Sequence, residues 1–261
     1  MSTLSYALAD SATMVRRQLT HMRRYPSLTI QLLALPVLLL LLFVYVFGGT
    51  LGDGLGTGAG GRGEYVDYVT PGILLIAVAA VAQGTAISVA MDMTEGIVAR
   101  FKTMAIARVS VLTGHVVGAM VQTFLAVAVV LAVALAIGFR PDAGAVAWLA
   151  AVGVVALVGF ALTWLSVALG LASKTVESAS NLPMPLMFLP FLGSGFVPTD
   201  SMPAGVRWFA EYQPFTPMME TLRGLLLGTG IGGHGIAAVA WAAGIALVSY
   251  VWARKLYNRQ A

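Results

Sequence analysis

The chain has 261 residues, of which 59% are hydrophobic and 10% charged, with 15 Lys and Arg against 11 Asp and Glu and no cysteine. Soluble domains carry about 25% charged residues, so this composition excludes an ordinary water-soluble globule. The lack of cysteine excludes a disulfide framework, a thiol nucleophile and a thiolate metal site. Six stretches hold no Asp, Glu, Lys or Arg: Tyr25–Gly52, Tyr68–Met91, Val109–Phe139, Ala143–Ser173, Ser178–Thr199 and Gly224–Ala253. Each is longer than the about 20 residues that a membrane-crossing helix needs, and backbone groups in hydrocarbon must be satisfied within their own segment. The expected fold class is therefore all-α, a polytopic membrane protein of six transmembrane helices forming one domain over residues 1–261.

In chain order, residues 2–25 read as an amphipathic interfacial helix. Leu4, Leu8, Ala12, Val15, Leu19 and Met22 recur at spacings of three and four, with Arg16, Arg17, Arg23 and Arg24 off that stripe. Such a helix lies along the membrane surface, as an anchor on anionic headgroups or as a contact for a cytoplasmic partner. Span 1 is about 28–47, with Pro36 inside it, and nine glycines follow in Gly48–Gly63. Within them Gly56, Gly58 and Gly61 match the letters of a dinucleotide loop, but no strand precedes them, so the stretch reads as a flexible linker. Span 2, about 70–91, carries Gln83, Thr85 and Ser88 in its inner half. Polar side chains at that depth face the bundle interior, where they line a path or bond a neighbouring helix.

Asp92–Arg108 is the charged, helix-capable island between spans 2 and 3. Asp92 with Glu95 three residues on reads as a helix start. Met93, Ile97, Phe101 and Met104 fall on one face, and Arg100, Lys102 and Arg108 supply positive charge. The segment is too short and too charged to span, so 92–108 is expected as an interfacial cytoplasmic helix whose apolar face docks into a groove. Span 3, about 111–137, holds Gly114-His-Val-Val-Gly118, a spacing that permits close helix approach; His115 stands far in sequence from His21 and His234 and reads as no metal ligand. Span 4, about 147–171, has Trp148 and Trp164 toward its two ends, where interface anchors sit. Span 5, about 181–197, is interrupted by Pro183, Pro185 and Pro190 and carries Asn181, Met184, Met187 and Phe188. Proline bends such a helix, and methionine is a deformable apolar surface. An outer segment over 199–227 follows, in which Thr216–Leu227 reads as a re-entrant or surface helix with Glu220 and Arg223 spaced to pair. Span 6, about 235–253, ends in the anchor Trp252, Arg254, Lys255 and Tyr257.

Orientation follows from Lys and Arg, which favour the cytoplasmic side. With the N-terminus inside, eleven of them face the cytoplasm and four (Arg62, Arg140, Arg207, Arg223) face out, so both termini are expected to be cytoplasmic. No HExxH or GxSxG occurs, which speaks against a membrane enzyme. The expected spans hold no carboxylate for proton coupling, and Ser173-Lys174-Thr175 lacks the glycine of a P-loop. A transport role therefore implies a separate ATPase docked on a cytoplasmic helix. The alternatives are an ion-coupled secondary carrier and a non-transporting membrane assembly protein.

Two segments carry a family resemblance: Glu95-Gly-Ile-Val-Ala-Arg-Phe-Lys102 with Met104 and Arg108, and Tyr212-Gln-Pro-Phe-Thr-Pro-Met-Met-Glu-Thr-Leu-Arg-Gly224. They resemble the cytoplasmic loop and the last outer segment of ABC type-2 exporter permeases of the daunorubicin-resistance kind. In those, Thr, Leu and Pro stand where this chain has Ile97, Phe101 and Ala105, and Asn-Pro where it has Gln213-Pro214. The resemblance implies a non-catalytic permease subunit in a bacterial plasma membrane. It would pair with an identical or related copy and with two ABC ATPase subunits that bind ATP and Mg, and hold no cofactor, metal or nucleic acid of its own. It makes 92–108 the coupling helix, with Glu95, Gly96, Ile97, Arg100, Phe101, Lys102, Met104 and Arg108 meeting the ATPase. Spans 2 and 5 would line the path, through Gln83, Thr85, Ser88, Asn181, Met184, Met187 and Phe188. Pro214, Thr216, Glu220, Arg223 and Gly224 form the outer-segment signature. The implied cargo is an amphipathic drug, natural product, lipid or glycolipid moved outward among membrane lipids.

Overall fold

A computed structural model describes residues 16, 20, 26–55, 61–95 and 108–259, and every regular element among them is helical. The expected interfacial helix over 2–25 and most of the expected helix over 92–108 lie outside the described residues. Helix α1 (Pro26–Leu42) passes into a π-helical turn (Phe43–Phe47) and then α2 (Gly48–Asp53). Helices α3 (Arg62–Thr94), α4 (Arg108–Ala136) and α5 (Ala145–Ala172) follow. Short pieces α6 (Val176–Asn181), α7 (Met184–Phe188) and a 3₁₀ turn (Leu189–Leu192) come next. After helices α8 (Ala204–Tyr212) and α9 (Phe215–Leu227), α10 (His234–Arg259) ends the described chain; the end of the bundle at Arg62 is the one expected to face outward, and the end at Thr94 the one expected to face inward.

Five helical stretches are long and apolar enough to cross a membrane: Leu32–Asp53, Arg62–Thr94, Leu112–Ala136, Ala145–Ala172 and His234–Tyr257. The expected fifth span does not form one such helix. Pro183, Pro185 and Pro190 each lack a backbone donor, and residues 176–192 break accordingly into α6, α7 and the 3₁₀ turn.

The bundle is built around α3. Every residue from Val69 to Ala82 is buried, and α3 packs against α1, α2, α4, α5, α6 and α9. Its 33 residues correspond to about 50 Å at 1.5 Å per residue, well beyond the ~30 Å hydrocarbon core. Both ends therefore reach past the apolar slab. This explains two differences from expectation. Glu64 and Asp67 mark the membrane boundary without ending the helix, so α3 starts at Arg62 and not near residue 70. At the other end, Asp92 lies in the last turn of α3 and starts no helix.

Small residues set the closest helix approach. A Cβ on Gly170 of α5 would lie 2.7 Å from the Ala86 carbonyl oxygen and 2.9 Å from Val89 Cβ, both on α3. At the outer end of α4, Gly138 takes φ +117°, with Gly138 N donating to Leu135 O at 3.3 Å and Phe139 N to Ala134 O at 2.9 Å. These two bonds close the left-handed helix terminus that favours glycine. They seat Phe139, fully buried, in the main apolar cluster. Trp164, expected as an interface anchor, is instead 9% exposed and meets Tyr250 of α10 edge to face, 4.9 Å between ring centroids. Large apolar side chains left exposed on the long helices, such as Leu38, Leu125, Leu149 and Val248, suit a lipid surround.

The α3–α5 crossing gives a direct test. Gly170→Ala should destabilise the protein by roughly 1–3 kcal/mol through overpacking, read as a lower apparent Tm in detergent. Gly153→Ala, whose Cβ would meet nothing within 4 Å, should leave the Tm unchanged or raise it.

Candidate functional site

The broken segment after α7 would leave unpaired carbonyls, and the outer end of the molecule is organised around satisfying them. Arg223 in α9 is 7% exposed. Its Nη2 donates to Ser194 O at 2.8 Å and to Tyr68 O at 3.0 Å, while Nε donates to Tyr68 O at 3.3 Å. Nη1 donates to Glu220 Oε1 at 2.5 Å, one turn back. The guanidinium also lies 3.9 Å from the centroid of the Tyr68 ring, and Tyr68 Oη donates to Ser194 O at 2.9 Å. Tyr65 adds a donation to Phe196 O at 3.2 Å. One buried cation thus ties α9, the outer half of α3 and the loop after the 3₁₀ turn together.

Beside it, Gln213 and Thr216 fasten the start of α9. Gln213 Oε1 accepts from Phe215 N at 2.9 Å, and its Nε2 donates to Thr216 Oγ1 at 3.0 Å and Leu189 O at 3.4 Å. Thr216 Oγ1 donates to Ala210 O at 2.5 Å and accepts from Ser194 N at 3.4 Å. Pro214 caps α9 without a donor of its own. A Cβ on Gly193 would lie 2.3 Å from Gln213 Nε2, and one on Gly72 3.0 Å from Gly195 Cα. Glycine at these places lets the loop lie directly on α3 and α9. Gly224 plays the same part farther along α9, where a Cβ would stand 2.5 Å from Gly230 O. Phe43 of the π-turn faces Phe196 at 4.3 Å, and Phe191 stacks on Phe196 at 4.5 Å. Outside this cluster, α8 exposes Trp208 and Tyr212. Arg207 pairs with Asp200 and donates to Glu211 at 2.7 Å, contacts that hold it charged more firmly than a free guanidinium, the Glu211 hydrogen bond foremost.

The inner half of α3 is less enclosed. Gln83, Gly84, Ile87 and Ser88 are half-buried and Met91 is exposed. Gln83 Nε2 donates to Ser180 O of α6 at 2.7 Å, which joins α3 to the broken segment. Thr85 is buried and bonds back to Val81 O at 3.0 Å within its own helix. Asn181, Met184 and Phe188 are exposed and Met187 half-buried. Of the expected ATPase-facing residues, Glu95 is exposed at the end of α3, its N–H donating to Met91 O at 2.9 Å. Arg108 begins α4. Gly96, Ile97, Arg100, Phe101, Lys102 and Met104 lie outside the described residues.

His115 proves to have a neighbour that sequence distance hid. Its Nε2 lies 3.1 Å from Asp92 Oδ2, both side chains nearly buried. Asp92 fell just beyond the charge-free stretch, so counting carboxylates within the spans missed it. A clue was present: both residues sit next to the inner boundary of adjacent antiparallel spans. Among the described residues, no group of three or more His, Asp or Glu gathers in a way that could hold a metal.

Comparison with known proteins places these features. The ABC-2 type transporter family matches residues 11–227. The chain is 28% identical over 226 residues to the daunorubicin resistance ABC transporter permease protein DrrB1 of Streptomyces coeruleorubidus, covering 84% of this chain and 77% of that one. It is 24% identical over 180 residues to a probable doxorubicin resistance ABC transporter permease protein DrrC of Mycobacterium tuberculosis, covering 68% of this chain and 65% of that one.

The Arg223 cluster carries its own prediction. Arg223→Ala should destabilise the protein by ~3–5 kcal/mol, because it leaves the buried partners of a charge unpaired. Arg223→Lys should recover only part of that loss, since an ammonium cannot reach two carbonyls and a carboxylate in one plane. Thermal unfolding of the purified variants in detergent reads both.

Proposed function

The chain belongs to the ABC-2 type transporter family, and we propose that it is the membrane-spanning permease of an ATP-driven exporter of amphipathic cargo. As a member of that family it is a multi-pass membrane subunit of an ABC transporter, working with an ABC ATPase. The chain carries no P-loop of its own, so ATP and Mg are held by that partner.

The observation that carries the reading is α3. Its outer end is held by Arg223, its middle is enclosed on all sides, and its inner end leads directly into the charged segment beginning at Glu95. A force applied there has a continuous, well-packed helix to act on. In this reading the stretch between α3 and α4, from Glu95 to Arg108, is the coupling segment, with Glu95, Arg100 and the face Ile97, Phe101 and Met104 meeting the ATPase. Residues 181–197 make the broken fifth of six crossings, and both termini are cytoplasmic in a bacterial plasma membrane. A second copy of this chain or a related permease completes the assembly with two ATPases. Cargo passes along the half-buried stripe Gln83, Ile87 and Ser88 of α3 and the exposed Asn181, Met184 and Phe188 beside it, which the Gln83–Ser180 bond holds adjacent. This lining is uncharged and divides evenly between polar (Gln83, Ser88, Asn181) and apolar (Ile87, Met184, Phe188) side chains, and it suits an amphipathic drug, natural product or lipid. The drug-resistance relatives support a cargo of that class.

Export from cells expressing the chain with its ATPase tests the reading, with doxorubicin as probe. Glu95→Ala and Arg100→Glu should each abolish most export while the permease remains in the membrane at its normal level. Cysteine placed at Phe101 should crosslink to the ATPase from the cytoplasmic side. Normal export by both variants, or labelling of that cysteine only from outside, would overturn the assignment.

A further inference from the structure

The inner ends of α3 and α4 share a buried polar contact that the transport path does not use. Asp92 lies in the last turn of α3, where the helix dipole is negative and a carboxylate is disfavoured. It is also 7% exposed, and His115, in the second turn of α4, is 6% exposed. Neither position suits its residue on local grounds, and the contact between them is one interaction that supports both. Asp92 Oδ2 and His115 Nε2 lie 3.1 Å apart, a hydrogen bond between the two side chains. The neighbours on each helix are apolar: Val89 on α3, Leu112 and Val116 on α4. These pack in one cluster with Trp164, Val167 and Leu171 of α5 and with Ala253 and Tyr257 of α10. The cluster alone would let the two helices slide, because apolar contact has no preferred direction. A hydrogen bond in low dielectric fixes distance and orientation.

The pair also closes a loop in the chain. The contact joins residues on either side of the charged sequence from Glu95 to Arg108. We infer that Asp92 and His115 are positioning residues: a clamp that makes the inner ends of α3 and α4 move as one body, so that force received between them shifts both spans instead of splaying them. This rests on the permease reading for the source of the force, while the clamp itself is a property of this chain.

Spin labels at Met91→Cys on α3 and Val117→Cys on α4, both exposed positions, report the separation of the two inner ends. Labelled permease is diluted with unlabelled permease in nanodiscs, and distances are measured by pulsed electron resonance, first without and then with the ATPase and ATP–vanadate. The unsubstituted pair should give one narrow distance that nucleotide does not change. His115→Ala should make the distribution about twofold broader and nucleotide-dependent, as expected when a two-state element loses its lock. His115→Gln, which keeps a donor for Asp92, should restore the narrow distance, and Asp92→Ala with His115→Ala should be no broader than either alone. Equal widths with and without His115, or a nucleotide-dependent distance in the unsubstituted clamp, would overturn the inference. Failure to bind any ATPase would instead count against the permease reading, and the width comparison without ATPase would still decide the clamp.

Discussion

A helix broken inside a membrane protein leaves carbonyls without donors, and Arg223 answers that constraint. Its guanidinium serves the carbonyls of Tyr68 and Ser194 while holding Glu220. Taking such a cation out of water costs several kcal/mol, and the cost is met only because all three nitrogens are engaged and the Tyr68 ring covers one face. Arg223 acts there together with Tyr68, which donates to Ser194 O, and Tyr65, which donates to Phe196 O, so the loop is tied to α3 by three side chains. Gln213 and Thr216 repeat the device on a smaller scale, with side-chain groups standing in for missing helix bonds.

The two ends of α3 are held by different chemistry. The outer end is pinned by a charge to backbone carbonyls in a region otherwise built of glycine and stacked phenylalanine. The inner end is joined to α4 by Asp92 and His115 within an apolar cluster. Between them lie fourteen consecutive buried residues, Val69 to Ala82, all without charge. Dense packing of small side chains makes that middle stiff, because interiors at native density transmit strain and do not absorb it. In the proposed reading the helix thus acts as a rod with one fixed end and one driven end.

The sequence made the membrane class, the helical content and all five of the long helices legible, because uncharged runs of the required length have few physical alternatives. It misjudged ends, for a reason specific to this bundle: α3 outruns the bilayer at both sides, so Glu64, Asp67 and Asp92 look like loop residues while belonging to the helix. The same error hid the Asp92–His115 contact, since a histidine far in sequence from other ligands appears solitary until antiparallel helices bring a carboxylate beside it. The Glu220–Arg223 pair was legible from i,i+3 spacing. Its bonds to Tyr68 and Ser194 were not, since no local pattern records contacts separated by 155 and 29 residues. Trp164 illustrates the opposite fault. Tryptophan near a span end reads as an anchor, yet here the end is itself covered by α10 through Tyr250.

The placement of charge explains why so polar a scaffold of contacts coexists with so apolar a composition. Of the buried ionisable groups, Asp92 and His115 sit toward the ends of long helices and Arg223 on the short helix α9, and not in the middles of the long helices, where desolvation would be greatest. There, each can be both buried in protein and close to the interface, so directional bonds are available without a charge in mid-membrane. The middle of α3 is left to Ala, Val, Leu and Ile with Gly72, which pack closely. A permease for varied amphipathic cargo needs this division: firm joints where force enters and where the outer end is closed, and between them a surface with few polar groups for any one molecule to hold.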